Sequence, residues 1–149
     1  MSYFEVQRQS RLPVAETWRR LTDWQSHSDH IPLTAVSVDG QGLGAVFTAR
    51  TSVGPVGFDD PMEVVGWDPP RSPDSGGTHA FGAGWCRIEK RGRVMVGWAE
   101  LSVEPAGDGS LVTWREDVAV RGTDRWLGLP TRVMSAQVFG RLVDGLLRP

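Results

Sequence analysis

The sequence predicts an α+β fold in which a curved antiparallel sheet of about seven strands grips one long C-terminal helix. From Leu33 to Gly122 the chain breaks into short runs rich in Val, Thr, Phe and Trp, with turn residues and no helical pattern between them. That spacing marks hairpins and not βαβ units. Beyond Gly122 the apolar period becomes helical, through Val133, Met134, Val138, Phe139, Leu142, Val143, Leu146 and Leu147. An opening alternating run, Tyr3 to Ser10, is separated from the later strands by two short helical patterns.

Pro13 opens the first short helix, where a missing N–H is harmless, and Val14, Thr17, Trp18 and Leu21 fall on one face of it. Asp23 is placed to cap the second, which runs through Trp24, His27 and Ile31 and ends at Pro32. The strands that follow are divided at Asp39-Gly40-Gln41-Gly42, Gly54-Pro55, Pro69 to Thr78, Arg91-Gly92 and Asp108-Gly109. The Pro69 to Thr78 segment is rich in Pro, Gly and Ser and reads as a surface connection, with a lid as the functional alternative. Pro130 suits a first helical turn or a kink.

A chain of 149 residues fits one domain spanning 1–149 and can bury roughly 70% of its unfolded surface, enough for a core with a cavity in it. The net charge is −2 and Lys90 is the only lysine, so no basic face for nucleic acid is expected. Lys90-Arg91-Gly92-Arg93 reads as a hairpin tip and Arg19-Arg20 as a solvated helix face. One cysteine, Cys86, excludes an internal disulfide. No basic, apolar leader opens the chain and no apolar run approaches the roughly 20 residues of a membrane span, so a cytoplasmic protein is expected.

The strand faces carry the candidate chemistry. Residues two apart in a strand share a face, so Val112, Trp114, Glu116, Val118 and Val120 form a row that is apolar except for Glu116. A charge there needs a partner, water or a ligand. Trp98 and Glu100 repeat the same spacing one strand earlier. Two carboxylates in an apolar pocket could serve as acid and base, but the stronger reading pairs each with a cross-strand Arg87, Arg93 or Arg115. Arg50 shares a face with Val46, Thr48 and Ser52, and could pair with Glu100 or Glu116 or grip a ligand carboxylate. Asp60 shares a face with Phe58, Met62 and Val64, looking toward a cavity mouth, although Asp59-Asp60 before Pro61 also suits a turn or bulge.

His27 and His30 are too few for a metal site and read as solvated helix-end residues, with His79 far away. Gly40-Gln41-Gly42-Leu43-Gly44 lies between two strands and is a hairpin, not a nucleotide-binding turn. No metal and no cofactor is implied. Of the seven tryptophans, Trp98 and Trp114 are expected to line a pocket, because each shares a face with a carboxylate.

The opening strand Phe4-Glu5-Val6, the segment from Pro13-Val14-Ala15-Glu16-Thr17-Trp18 to Asp23-Trp24, the strand pair Gly97 to Glu100 and Val112 to Glu116, and the final amphipathic helix resemble the START-like or Bet v1-like helix-grip superfamily (SRPBCC). Within it the chain is similar to the polyketide cyclase/dehydrase and lipid-transport-like proteins, over essentially its whole length. The resemblance implies a mostly apolar cavity between sheet and long helix for a lipid, polyketide or isoprenoid-like molecule. It carries no universal catalytic motif. The lining it points to is Trp98, Trp114, Glu116, Arg50, Glu100, Met134 and Val138, with Glu116, Glu100 and Asp60 as candidates for acid/base chemistry. Ligand binding without chemistry leads, a cyclase or dehydratase is the alternative, and a protein-interaction module with a filled core is the third reading. A hydrophobic small molecule is the expected partner, and a homodimer is compatible with it.

Overall fold

The computed structural model describes residues 2–71, 82–122 and 128–148, with side chains described from residue 3 and, in the last segment, from residue 136. Strand β1 (Ser2–Ser10) leads into helix α1 (Val14–Leu21) and a 3-10 helix (Trp24–Asp29). Strands β2 (Thr34–Asp39), β3 (Val46–Val53), β4 (Val56–Asp68), β5 (Gly84–Arg91), β6 (Met95–Ala106) and β7 (Gly109–Val120) follow, and helix α2 (Gly128–Leu146) closes the chain. The sheet has seven strands in the order β1-β7-β6-β5-β4-β3-β2, and each neighbouring pair is antiparallel. The later strands thus form a meander, and β1 pairs with the last of them.

Helix α1 buries Val14, Thr17, Trp18 and Leu21, the face its spacing predicts. Its outer side is held by Glu16, which accepts from both Arg19 and Arg20 at 2.8 Å. The second helix differs from expectation. It is a 3-10 turn that ends at Asp29, and the Asp23 side chain caps no backbone N–H; it accepts the Ser26 hydroxyl at 2.6 Å instead.

In β7 the alternate residues Ser110, Val112, Trp114, Glu116 and Val118 are all buried. Strand β4 keeps the same alternation from Phe58 to Val64 and then breaks it. Val64 pairs with Ile88 and Trp67 with Cys86, so Val65 and Gly66 together oppose Arg87 in a bulge. The extra residue turns Trp67 inward, where its ring lies 5.1 Å from that of Trp18. A Cβ on Gly66 would come within 2.6 Å of the Trp85 ring, so the outer side of the bulge is built for glycine. Asp59 and Asp60, for which a turn or bulge was an alternative, sit within the regular part of the strand.

Helix α2 lies over β1 and β7. Phe139 stacks on Phe4 at 5.6 Å and on Trp114 at 5.3 Å, and Leu142, Val143 and Leu146 are buried. The side chains of Val133 and Met134, the residues around Trp126, and most of the Pro69 to Thr78 loop with its lid reading lie outside the described residues, as does His79.

Leu101 has no exposed surface and stands on the inner face of β6 opposite Trp114 of β7. Leu101→Ala is expected to lower unfolding free energy by about 2–5 kcal/mol, the usual cost of such a truncation in a core that cannot collapse around it. Urea unfolding measures this, and a loss below about 1 kcal/mol would show that the sheet relaxes into the gap.

Candidate functional site

Between the inner face of the sheet and α2 lies a cavity of about 160 Å³. Its walls are flat and apolar. Trp24 stacks on Phe47 with ring centroids 4.7 Å apart and planes 4° from parallel, and Trp114 stacks on Phe139. Met62, Met95 and Val138 complete the apolar lining.

The lining contains one charged cluster. Asp60 of β4, Lys90 of β5 and Glu116 of β7 are 5%, 8% and 1% exposed. The Lys90 ammonium donates to Asp60 Oδ2 at 2.6 Å and lies 3.4 Å from Glu116 Oε1, while the Trp114 indole N–H donates to Glu116 Oε2 at 3.0 Å. Asp60 Oδ1 is buried without a hydrogen-bond partner.

These three residues come from strands that are not all neighbours, and β6 is what lets them meet. The inner positions of β6 beside the cluster are Gly97, paired with Lys90 and Val118, and Ala99, paired with Glu116. With almost no side chain there, the Lys90 stem reaches across β6 from β5 to β7. Gly97 is fixed independently: its φ is +139°, and a Cβ would stand 2.0 Å from the Asp117 carbonyl oxygen.

Burial is the largest influence on Glu116 and pushes its carboxyl above the usual range, against the pull of Lys90 and the Trp114 N–H. Burial also works against the Lys90 ammonium, but the charges of Glu116 and Asp60 outweigh it and hold Lys90 above its ordinary value. Both shifts act in one sense, favouring the protonated forms of Glu116 and Lys90.

His27 also lines the cavity and is 5% exposed. Its Nε2 lies 2.9 Å from the Leu21 carbonyl oxygen, which can only accept, so Nε2 carries the hydrogen and Nδ1 the lone pair. Burial pulls its pKa from 6.5 down to about 4, leaving a neutral imidazole. Cys86 is buried, and burial pushes its thiol up to about 12, so it offers no thiolate nucleophile near neutral pH. Among the described residues no three His, Cys, Asp or Glu side chains converge for a metal ion.

The structure brings Glu116, Asp60, Trp114 and Val138 to the cavity and leaves three other expected residues outside it. Arg50 is exposed and pairs with Asp59 at 2.9 Å on the outer face, because Phe47, Ala49 and Thr51 take the inner positions of β3. Glu100 faces outward and accepts from Arg87 at 2.7 Å, and the same Arg87 lies 4.6 Å over the outward-facing Trp98 ring. Trp98 and Glu100 occupy outer positions because Ala99, Leu101 and Val103 fill the inner row of β6. Met134 lies among the side chains not described.

Sequence reasoning did not assign Lys90, His27 and Trp24 to the cavity, nor the apolar Phe47, Met62, Met95 and Phe139. His27 is not solvated as a helix-end residue would be, because the 3-10 turn packs it edge-on against Trp24. Lys90 is the last residue of the buried row Cys86, Ile88, Lys90, not part of an exposed hairpin tip. The signal for it was in the sequence: this row alternates as the Glu116 row does, and it ends on the chain's only lysine.

Fold and cavity together define a helix-grip protein with a walled internal site. The chain belongs to the family described as polyketide cyclase / dehydrase and lipid transport, whose model matches residues 1–148. Among solved structures it is similar to TTHA0849 from Thermus thermophilus, with a TM-score of 0.71 and 13% identity, over 97% of this chain and 93% of that one. It is also similar to Ara h 8.0201, with a TM-score of 0.59 and 14% identity, over 97% of each chain. The di-domain ARO/CYC StfQ from the steffimycin biosynthetic pathway matches with a TM-score of 0.67 and 12% identity, over 97% of this chain and 50% of StfQ. Identities this low carry the fold alone. No curated protein matches the sequence.

Proposed function

We propose that the protein binds a small hydrophobic or amphipathic molecule in the cavity, with the polar part of that molecule at Asp60, Lys90 and Glu116. The observation that carries this is an aromatic-walled space of about 160 Å³ that meets a buried charged cluster with an unpartnered carboxylate oxygen. Binding pockets combine broad apolar walls with a few convergent polar groups in this way. The family description, which includes lipid transport, supports the reading. An interaction module with a filled core fits the open space less well. The buried, free Cys86 agrees with a cytoplasmic setting, and no described helix is long and apolar enough to cross a membrane.

Native mass spectrometry of the protein from its own host, followed by solvent extraction, tests the proposal. The expected result is a co-purified small molecule that is lost from Ala49→Phe, a substitution aimed into the cavity from β3. A wild-type protein that carries no such molecule, and binds neither decanoate nor phenol, would overturn it.

A second reading, cyclisation or dehydration, is favoured by one feature: Glu116 is held toward its protonated form within a cluster that also presents the open Asp60 Oδ1. Glu116 would serve as acid and Asp60 as base, and Glu100, on the outer face, has no part in it. Under this reading Glu116→Gln lowers turnover of a polyketide substrate by about 10²–10⁴-fold while ligand binding persists. Unchanged turnover would remove Glu116 from the mechanism.

A further inference from the structure

The size of the cavity and its hydrogen-bond balance narrow the ligand beyond "small and amphipathic"; this step rests on the binding reading above. An apolar cavity of roughly 150 Å³ holds one benzene ring. The space here is about 160 Å³, and the Trp24–Phe47 and Trp114–Phe139 stacks give it flat walls. One six-membered ring fills that space.

The polar side chains decide what that ring carries. An ammonium has three hydrogens, and Lys90 faces Asp60 Oδ2, Glu116 Oε1 and Met62 Sδ at 2.6, 3.4 and 3.5 Å. The Trp114 N–H is committed to Glu116 and the His27 N–H to Leu21. Thr34 donates to the Pro32 carbonyl and therefore accepts from Thr51, 2.9 Å away. Of the lining donors only the Trp24 indole stands outside this set. A carboxylate ligand would find almost no donor and would face Asp60. A cationic amine would sit against the Lys90 ammonium. The buried carboxylate oxygen without a partner, Asp60 Oδ1, is an acceptor. A buried acceptor left without a donor is costly, and a ligand hydroxyl supplies that donor.

We infer that the cavity takes a neutral single-ring hydroxylic molecule of the phenol type, whose O–H donates to Asp60 Oδ1 while its ring lies between the aromatic walls.

Isothermal titration at pH 7 with phenol, toluene, anisole, benzoate, benzylamine, 1-naphthol and decanoate tests this. Phenol is expected to bind about tenfold or more tighter than toluene and anisole, since a hydrogen bond to a buried charged group is worth about that factor, and tighter than the larger and the charged probes. Asp60→Asn, whose amide oxygen goes to Lys90 and whose N–H then stands where Oδ1 was, should bring phenol to within about threefold of anisole while toluene binding is kept. Should that variant fail to fold, the phenol-to-anisole ratio on the wild type reads the same bond, because the ether keeps the oxygen and lacks the proton. Tighter binding of 1-naphthol, decanoate or benzoate than of phenol would overturn the ligand class and leave cavity binding standing. Equal binding of phenol, toluene and anisole would overturn the Asp60 contact. Binding of none of the seven would overturn the cavity reading as well.

Discussion

Lys90→Met is expected to destabilise the protein by about 3–5 kcal/mol at pH 7, the range for removing one partner of a buried ion pair. Methionine keeps the unbranched stem, so the loss reports charge and not volume. What remains is Asp60 and Glu116 without their shared cation, in a site where the Lys90 and Glu116 side chains are only 4% and 2% exposed. The loss should shrink as pH falls, because protonation relieves the unpaired Glu116 carboxyl, which burial already pushes up. Adding Glu116→Gln to Lys90→Met should recover part of it, and a double-mutant cycle measures the coupling. A Lys90→Met protein within about 1 kcal/mol of wild type in urea unfolding at pH 7 would show that the cluster is solvated and not buried.

Acidification between pH 6.5 and 4 should remove about 3 kcal/mol of stability through His27 alone. Its pKa in the fold is about 4 against an ordinary value of 6.5, so in this window the unfolded chain binds the proton and the folded protein does not. Stability therefore falls as pH falls, and the effect saturates below pH 4, where both states are protonated. Glu116 works in the opposite sense: its carboxyl is raised in the fold, so its contribution improves with acidification. The two are separated with His27→Gln, whose amide N–H can replace Nε2–H at the Leu21 carbonyl but does not titrate. Wild type minus variant, followed by urea midpoints from pH 7.5 to 4, should show the loss. Parallel curves would mean that His27 binds its proton as readily in the fold as in the unfolded chain.

The fold was legible because its periods are clean. Alternation and turn residues delimit the strands, and the final apolar stripe marks the helix whose described part packs Phe139, Leu142, Val143 and Leu146 inward. The site was legible only in part, because a Trp-x-Glu spacing gives a shared face without saying which face. Trp114-Arg115-Glu116 stands on the inside of β7 and Trp98-Ala99-Glu100 on the outside of β6. Pairing places Ala99 opposite Glu116, and Trp98 opposite Asp117. The deciding information lay in the intervening residues: Ala99, Leu101 and Val103 form an apolar row, whereas Val96, Trp98, Glu100 and Ser102 do not. Arg50 follows the same logic, since Phe47 and Ala49 take the inner positions. Lys90 was obscured by its neighbours, because Arg91 and Arg93 make the cluster look like a solvated tip although the row ending at Lys90 is buried. His27 could not be placed from periodicity, because a 3-10 turn advances its side chains at a different angle from an α-helix.

The bulge at Val65 and Gly66 gives one strand two reading frames. Upstream of it even-numbered residues face inward, Asp60 and Val64 among them, and downstream an odd-numbered residue, Trp67, does so. The polar anchor of the cavity and the aromatic residue that packs under α1 are thereby uncoupled. Loss of a residue at the bulge would throw Trp67 toward solvent and leave Asp60 in phase with Lys90, while a lost residue upstream would do the reverse. Ligand chemistry and core packing on β4 can thus drift separately, each on its own side of a single inserted residue.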